Sequence, residues 1–334
     1  MSDLTDAVIL LRLVYQAMQH AGIDAEAVLN RVGVAASSLD DARMRTPSTA
    51  HRVFWEAVEE VSGDPHAGLH LGEHLPIFRG QVLEYLFLSS PTFGDGLKRA
   101  IRHERLLSDA ARSRLVLTAS ECYLTNDFPQ DAPRHTVEAF VCGLQGFFRH
   151  ITEGAFSFRE LHFRHAEGAD AAEYERVYGC PVRLGSDGIR LYFDRLLLAR
   201  PSPHAEPELL ALHEQVASAR MAELERHDLV RDVRRIIGES LEEGDVSLEQ
   251  VAARLGIKPR ALRTRLTEAN TSFNQVLGEY RCRLAKRLLA RTDESIDQIV
   301  YLTGFSEPST FYRAFKRWVG ETPVEYRRKR RQGG

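Results

Sequence analysis

The chain has 334 residues, 43% apolar and 27% charged, with a formal net charge of −3; this length fits about two domains, and the mixture is that of a globular rather than a disordered or fibrous protein. Its longest aliphatic run, Ala7 to Leu11, falls far short of the ~20 residues of a membrane span, and the acidic Asp3 and Asp6 stand where a secretory signal would carry basic residues. Cys122, Cys142, Cys180 and Cys282 are dispersed without paired spacing, which fits reduced thiols in a cytoplasmic protein and sets aside a disulfide scaffold.

In chain order, helical periodicity appears first over residues 7–21 and 50–62. Short strands are predicted at 114–118, 122–127, 161–165 and 189–193, some with alternating polarity, and an apolar helix at 137–151. These elements describe an α+β domain long enough to bury a core of its own. The segment 200–207 holds three prolines, which prevent helix or sheet from continuing. A helix over 208–227 is expected to bridge to a second domain. The predicted organisation is residues 1–200 as one domain, 201–228 as linker and bridging helix, and 229–334 as the other domain.

Three side-chain groups in the first domain invite functional readings. His66, His70 and His74 fall at i, i+4 and i+8, so on one helix they would share a face and could bind a metal. Gly68 and Gly72 interrupt that helix and only Glu73 adds a further ligand, so a partly solvated helix is the preferred reading and no metal or other cofactor is expected. Arg79, Arg102, His103 and Arg105 could converge on an anionic ligand, since arginine matches carboxylate or phosphate geometry. An exposed amphipathic helix accounts equally for the last three. Gly94-Asp95-Gly96 lacks the third glycine and the preceding strand of a dinucleotide fingerprint. Tyr85, Phe87 and Phe93 are read as core.

Charge divides unevenly along the chain. Residues 229–334 hold 21 Lys+Arg against 14 Asp+Glu, a net of +7, which leaves −10 for the first 228 residues together with all 13 histidines. A basic module joined to an acidic one is expected when only one of them approaches a polyanion.

The basic part contains one plan twice, 48 residues apart. Ser247 and Gln250 have the spacing of a capping box, Leu248, Val251, Ala252 and Leu255 come next at helical spacing, and Gly256 ends the helix. Ile257 covers the turn, Pro259 suits the first turn of the next helix, and Leu262 and Leu266 share its buried face. In the second copy Ser295 and Gln298 form the cap pair, Ile296 and Ile299 the apolar face, and Gly304 the break. Phe305 covers the turn, Ser306 is the expected cap, and Phe311 and Phe315 are buried. A helix, a glycine turn and a second helix, at about 247–267 and again at 295–317, predict an all-α domain with two helix-turn-helix motifs.

The outer faces of the second helices carry the chemistry. The first presents Arg260, Arg263, Thr264 and Arg265. The other begins near Glu307 and presents Ser309, Thr310, Tyr312, Arg313, Lys316 and Arg317. Arginine can bond guanine O6 and N7 with both arms, while Ser, Thr and Lys suit phosphates and less exclusive base contacts. Two solvated basic helices of a bundle are the competing reading. Residues 272–292 form one long amphipathic helix between the copies. Its length of roughly 30 Å is close to the ~34 Å between successive major-groove faces, so one chain could read two of them. The run Arg327 to Arg331 is read as a solvated tail.

On these residues the chain resembles a known family. Ser295 to Pro323, SIDQIVYLTGFSEPSTFYRAFKRWVGETP, is similar to the signature of AraC/XylS-type transcription regulators, and VSLEQVAARLGIKPRALRTRLTEANTSF to the other half of their DNA-binding domain. Lys258 stands where the family has a serine cap and Val300 where it commonly has alanine. A missing cap costs on the order of 1 kcal/mol, and neither departure removes a candidate DNA contact. Ser62 to Leu75 and Gly80 to Asp109 resemble the arabinose-binding-like N-terminal domain of one AraC branch, over roughly residues 15–200. The resemblance implies a sequence-specific, nucleoid-associated transcription regulator controlled by a small-molecule effector. Its partners would be double-stranded promoter DNA and the effector, with RNA polymerase and a second copy of the chain as further candidates.

Two other functions compete. DNA repair by alkyl transfer uses the same type of DNA-binding module, but needs an activated thiolate among clustered cysteines. Here the cysteines are isolated, and no G-x-S-x-G, P-loop or H-E-x-x-H occurs. An architectural DNA binder would leave the first 200 residues without a role. The expectation is a regulator that is not an enzyme.

Overall fold

The structure is a computed structural model and describes residues 4–243 and 246–332; Asp3 lies outside the described residues. The chain divides into two compact units, Met1–Met221 and Ala222–Gly334.

The first unit opens with β1 (Thr5–Ala7), α1 (Val8–His20), α2 (Ala25–Arg31), β2 (Arg45–Pro47) and α3 (His51–Ser62). Helices α1 and α3 match the periodic segments read from sequence. The apolar faces of α1, α2 and α3 contribute Met18, Leu29, Trp55 and Val58 to one core, while β1 and β2 pair antiparallel. Next come α4 (Ala67–Glu73), α5 (Val82–Ser89), α6 (Phe93–His103), β3 (Ser113–Leu117), β4 (Cys122–Asn126), α7 (Arg134–Ile151), β5 (Phe158–His162), α8 (Ala171–Tyr178), β6 (Val182–Arg183) and β7 (Ile189–Phe193). The five later strands form one sheet in the order β3-β4-β7-β5-β6, antiparallel except for β5 with β6. Alternate residues of β4 and β7 point inward, and Leu124, Leu191 and Phe193 pack there with Val141 and Phe148 of α7.

Strand β5 begins three residues before its expected start. A bulge between Phe158 and Glu160 breaks the period-2 pattern and hides the strand's beginning from a periodicity reading. Strands β1, β2 and β6 are only two or three residues long, too short to leave a periodic trace.

Gly68 and Gly72 do not interrupt a helix. They lie within α4 and are buried where it meets α7. A Cβ at Gly68 would overlap the backbone of His135, and one at Gly72 the side chain of Cys142. The small residues at i and i+4 let two helix backbones approach where any side chain would hold them apart. Helix α4 is packed rather than solvated, and His66 and His74 flank it at its two cap positions.

Under this contact lies a charged core. Glu138 of α7 is fully buried. It accepts a hydrogen bond from Tyr174 Oη at 2.5 Å, with His165 Nε2 at 3.4 Å, Arg134 Nη1 at 3.5 Å and His135 Nδ1 at 3.7 Å. Burial alone would raise the carboxyl, but His135, His165 and Tyr174 together outweigh it and hold Glu138 well below the usual carboxylate range.

Helix α9 (Pro207–Glu243) is a single helix of 37 residues, sixteen longer at its C-terminal end than the bridging helix predicted from sequence. Its first half completes the first unit: Ala217 packs on Val82, Leu83 and Leu86, and Glu214 accepts from Arg99 Nε at 3.0 Å. Its second half supplies Val233, Ile236, Ile237 and Leu241 to the core of the second unit.

The second unit continues with α10 (Leu248–Arg254), α11 (Pro259–Glu268), α12 (Phe273–Arg291), α13 (Ile296–Leu302), α14 (Pro308–Val319) and α15 (Pro323–Gln332). It has two small cores. One joins α9, α10 and α11 with Val276 and Leu277 of α12. The other joins Ala285 and Leu289 of α12 with Ile299, Val300, Phe311, Phe315 and Tyr326.

Gly68→Ala should cost about 1–3 kcal/mol or more through overpacking, read as a lower midpoint for the first unit in denaturant unfolding; an unchanged midpoint would show that α4 and α7 can separate. Because the folded pKa of Glu138 lies below its ordinary 4.5, its contribution to stability is complete above that pH. The contribution is lost as pH falls through the depressed value. Acid titration of stability below pH 4.5 should therefore be shallower in Glu138→Gln than in the wild type.

Candidate nucleic-acid interface

Each reading head is assembled from the same local bonds. Ser247 Oγ accepts from Gln250 N at 3.2 Å, and Gln250 Oε1 accepts from Ser247 N at 3.0 Å. Ser295 and Gln298 repeat the exchange at 3.1 and 3.3 Å. Both capping boxes read from the sequence are present. At the other end of each first helix the glycine is left-handed, with φ of +67° at Gly256 and +71° at Gly304, a conformation costly for other residues. Ile257 N then donates to Ala252 O at 3.0 Å, and Phe305 N to Val300 O at 3.1 Å. These bonds satisfy the last carbonyls of the helix and turn the chain toward the second helix.

The second helices also begin alike. Each has proline at its first position and no side-chain cap, with Lys258 at the N-cap of α11 and Glu307 at that of α14. Ser306, expected as the cap, lies one residue outside, because Pro308 at the first helical position leaves Glu307 as the half-helical residue. Lys258 provides no cap bond, as its departure from the family's serine implies.

Helix α11 buries Leu262 and Leu266 and exposes Arg260, Arg263, Thr264 and Arg265. Thr264 Oγ1 donates back to Arg260 O at 3.1 Å. Helix α14 buries Phe311, Ala314 and Phe315 and exposes Ser309, Thr310, Arg313, Lys316 and Arg317. Tyr312 departs from the expected outer face: it is half-buried against the second core, its ring 6.1 Å from that of Phe311. Glu307 and Ser309 approach to 3.5 Å, as do Arg313 and Thr310.

No cation on the outer faces of α11 and α14 forms a direct ion pair among the described residues, although Lys316 helps to lower the Glu325 carboxyl through space. Some cations elsewhere in the unit do form ion pairs: Arg235 pairs with Glu239 at 2.9 Å and Arg254 with the same Glu239. The run Arg327 to Arg331 is exposed from Arg328 onward, as expected of a solvated segment, but it is helical and not a tail. It forms half of α15, where Arg327 donates to Glu294 O at 2.6 Å, Arg331 to Asp293 Oδ1 at 2.5 Å, and Lys329 pairs with Glu321 at 2.5 Å. These cations bind the helix to its own fold, a role that composition could not distinguish from solvation.

In the first unit the three candidate effector arginines have separate surroundings. Arg79 is exposed with Nη2 3.2 Å from His150 Nδ1, Arg102 is exposed, and Arg105 pairs with Asp109 at 2.9 Å. His103 is buried and meets Glu214 of α9 at 3.2 Å. None of these three arginines lines an open cavity of about 290 Å³ bounded by Ser157, Arg159, Asp194, Leu196 and Arg200, whose lining no functional reading of the sequence singled out. His70 lies between Asp64 and Glu173 at 2.6 and 3.0 Å, whereas His66 faces Arg134. Among the described residues no group of three His, Cys, Asp or Glu could hold a metal ion. Phe87 and Phe93 are core, but Tyr85 is not: it is 42% exposed and stacks on His213.

Burial raises all four thiols, Cys142 to about 12 and Cys180 to about 11. Such thiols are poor nucleophiles near neutral pH.

The family model described as the arabinose-binding domain of AraC transcription regulators matches residues 22–202, and a helix-turn-helix domain model matches 251–329. The ornithine utilization regulator of Pseudomonas aeruginosa is 28% identical over 311 residues, 92% of this chain and 91% of that protein. The HTH-type transcriptional regulator VirS of Mycobacterium tuberculosis is 35% identical over 176 residues, 51% of this chain and 49% of that protein. Among solved structures, the transcriptional regulator CdpR from Pseudomonas aeruginosa aligns over 96% of this chain and 98% of its own, at 21% identity and a TM-score of 0.46. With a ligand-binding N-terminal domain and a C-terminal pair of DNA-binding helix-turn-helix motifs, the chain belongs to the AraC family of transcription regulators.

Proposed function

We propose that α11 and α14 enter consecutive major-groove segments on one side of promoter DNA. Arg260, Arg263, Arg265, Arg313, Lys316 and Arg317 would meet bases and phosphates there, while Thr264, Glu307, Ser309 and Thr310 set the register. The observation that carries this reading is the equivalence of the two second helices. Both start on a proline after an uncapped residue, bury two large apolar side chains four apart, and leave the outer arginines without an ion pair among the described residues, Lys316 alone lying in the field of an acid, Glu325. Surface cations left unpaired are free to displace counterions from a polyanion. Helix α12, of 19 residues, joins the two heads and is about 28 Å long, on the scale of the ~34 Å repeat of the duplex.

The functional boundaries proposed are residues 1–200 for effector sensing, 201–228 for the link and 229–334 for DNA. Arg79, Arg102 and Arg105 stand as candidate effector contacts, although the engagement of Arg79 with His150 and of Arg105 with Asp109 favours a ligand that recruits one of them rather than all three. A regulator without catalytic activity, acting on the nucleoid in the cytoplasm, is the reading that the raised thiols and the absence of a paired cysteine spacing support. RNA polymerase and a second copy of the chain are its proposed further partners. The effector acts by binding the DNA-competent and incompetent states with different affinity.

Arg263→Ala is expected to weaken binding to the cognate site by ~1–3 kcal/mol and to relax one base preference, measured by fluorescence anisotropy on cognate and random duplexes. Equal losses on both duplexes would confine Arg263 to phosphate. A thermal-shift screen of small metabolites should reveal the effector, since a ligand at 100 times its Kd stabilises by about 2.7 kcal/mol; a flat response throughout would favour an architectural DNA binder.

A further inference from the structure

The two heads share one plan, yet their turns are held differently. In the second head, Arg281 of α12 donates from Nη2 to Gly304 O at 2.7 Å. Its guanidinium carbon stands 4.7 Å above the centroid of the Phe305 ring. The Phe305 ring in turn touches both ends of the recognition helix, lying 5.5 Å from Phe311 and 6.1 Å from Trp318. Leu241, near the end of α9, also closes on Gly304, where an added Cβ would overlap it and stand 3.1 Å from Arg281 Nη2. Leu241 belongs to the core of the first head. The turn of the second head is thus gripped jointly by the connecting helix and by the first head.

The first head has no such grip among the described residues. Counting back 14 residues from each cap, the position equivalent to Arg281 is Val233, fully buried in the apolar core against which Ile257 packs. A Cβ at Gly256 would meet nothing within 4 Å. The polar clamp is therefore a feature of the junction between heads and not of the repeat.

We propose that Arg281 is a positioning residue that sets the phase of α14 relative to α11, and so determines which separation of half-sites the chain accepts. The inference rests on the two-groove reading of the paired heads. Arg281 acts through Phe305. A carbonyl hydrogen bond fixes its head and the aromatic face its plane, a combination that a guanidinium meets and an ammonium does not. Without it, α14 keeps its own helix and core but gains freedom to rotate about the turn.

The test uses the full chain and a duplex selected by it from a random pool, with one base pair then inserted or removed between the half-sites. Each change rotates one half-site by about 35° and shifts it by about 3.4 Å. The wild type should lose about tenfold or more in affinity on either change, the loss typical of a single mismatch. Arg281→Val, which copies Val233, should bind the selected duplex more weakly but discriminate between spacings by no more than about threefold. Arg281→Lys should restore discrimination only in part. A simple phosphate contact would behave otherwise, lowering affinity at every spacing and the salt slope by about one, with the spacing ratio unchanged. An unchanged ratio in Arg281→Val would overturn the inference. Should that variant fail to fold by circular dichroism, Phe305→Leu decides in its place, since loss of the ring should relax the ratio equally and retention of the wild-type ratio would overturn the inference. Indifference of the wild type itself to spacing would overturn the two-groove reading and this inference together.

Discussion

Helix α12 is buried at both ends, and in different cores. Val276 and Leu277 lie among the side chains of the first head and Ala285 and Leu289 among those of the second. A helix of this kind cannot turn or slide without opening apolar surface on both sides, at roughly 25 cal/mol per Å² exposed. The two recognition helices are consequently mounted on one rigid axis, and the chemistry of their outer faces acquires meaning from that mounting. Arginines on a flexible pair of helices would bind a polyanion; arginines at a fixed separation can select a sequence.

The arrangement of charge shows a similar division. Within the second unit, cations that support the fold meet acids or carbonyls: Arg235 and Arg254 share Glu239, Arg327 holds Glu294 O, and Arg331 holds Asp293. Surface pairs of this type contribute little stability individually, but they engage their cations with the fold. The net charge of the segment therefore overstates how many cations are available to DNA. Which of them are available is decided by the acids that the fold brings within reach.

In the first unit the governing contact is the approach of α4 to α7. Glycine at 68 and 72 allows it, and beneath it Glu138 is buried with basic and phenolic neighbours around it. Three histidines at helical spacing look like a metal face until the helix is seen to be seven residues long, with His66 and His74 at its cap positions. The glycines, which argued against a continuous helix, are instead the reason that this helix can pack so closely. A buried carboxylate needs such surroundings, since an isolated one would be neutralised by desolvation.

Much of the second unit was legible from residues alone. Capping boxes at Ser247 and Ser295, glycine turns at 256 and 304, and apolar pairs four apart are local features, each set by bonds within a few residues, so they survive reading in one dimension. The outer faces of α11 and α14 come from the same helical period, apart from Tyr312, whose bulk is drawn to the second core. The strands of the first unit were visible where alternation was regular and lost where a bulge or a length of two or three residues removed the period. Long-range partners were beyond reach. No spacing foretold that α9 would run on to Glu243 and furnish the first head with a core helix, that Arg281 would close over Phe305, or that Arg79, Arg102 and Arg105 would each find different surroundings. Helical period and capping depend on neighbours in sequence, whereas the pairing of a charge or the closeness of two helices depends on residues 20 to over 100 positions away, which only the packed chain brings together.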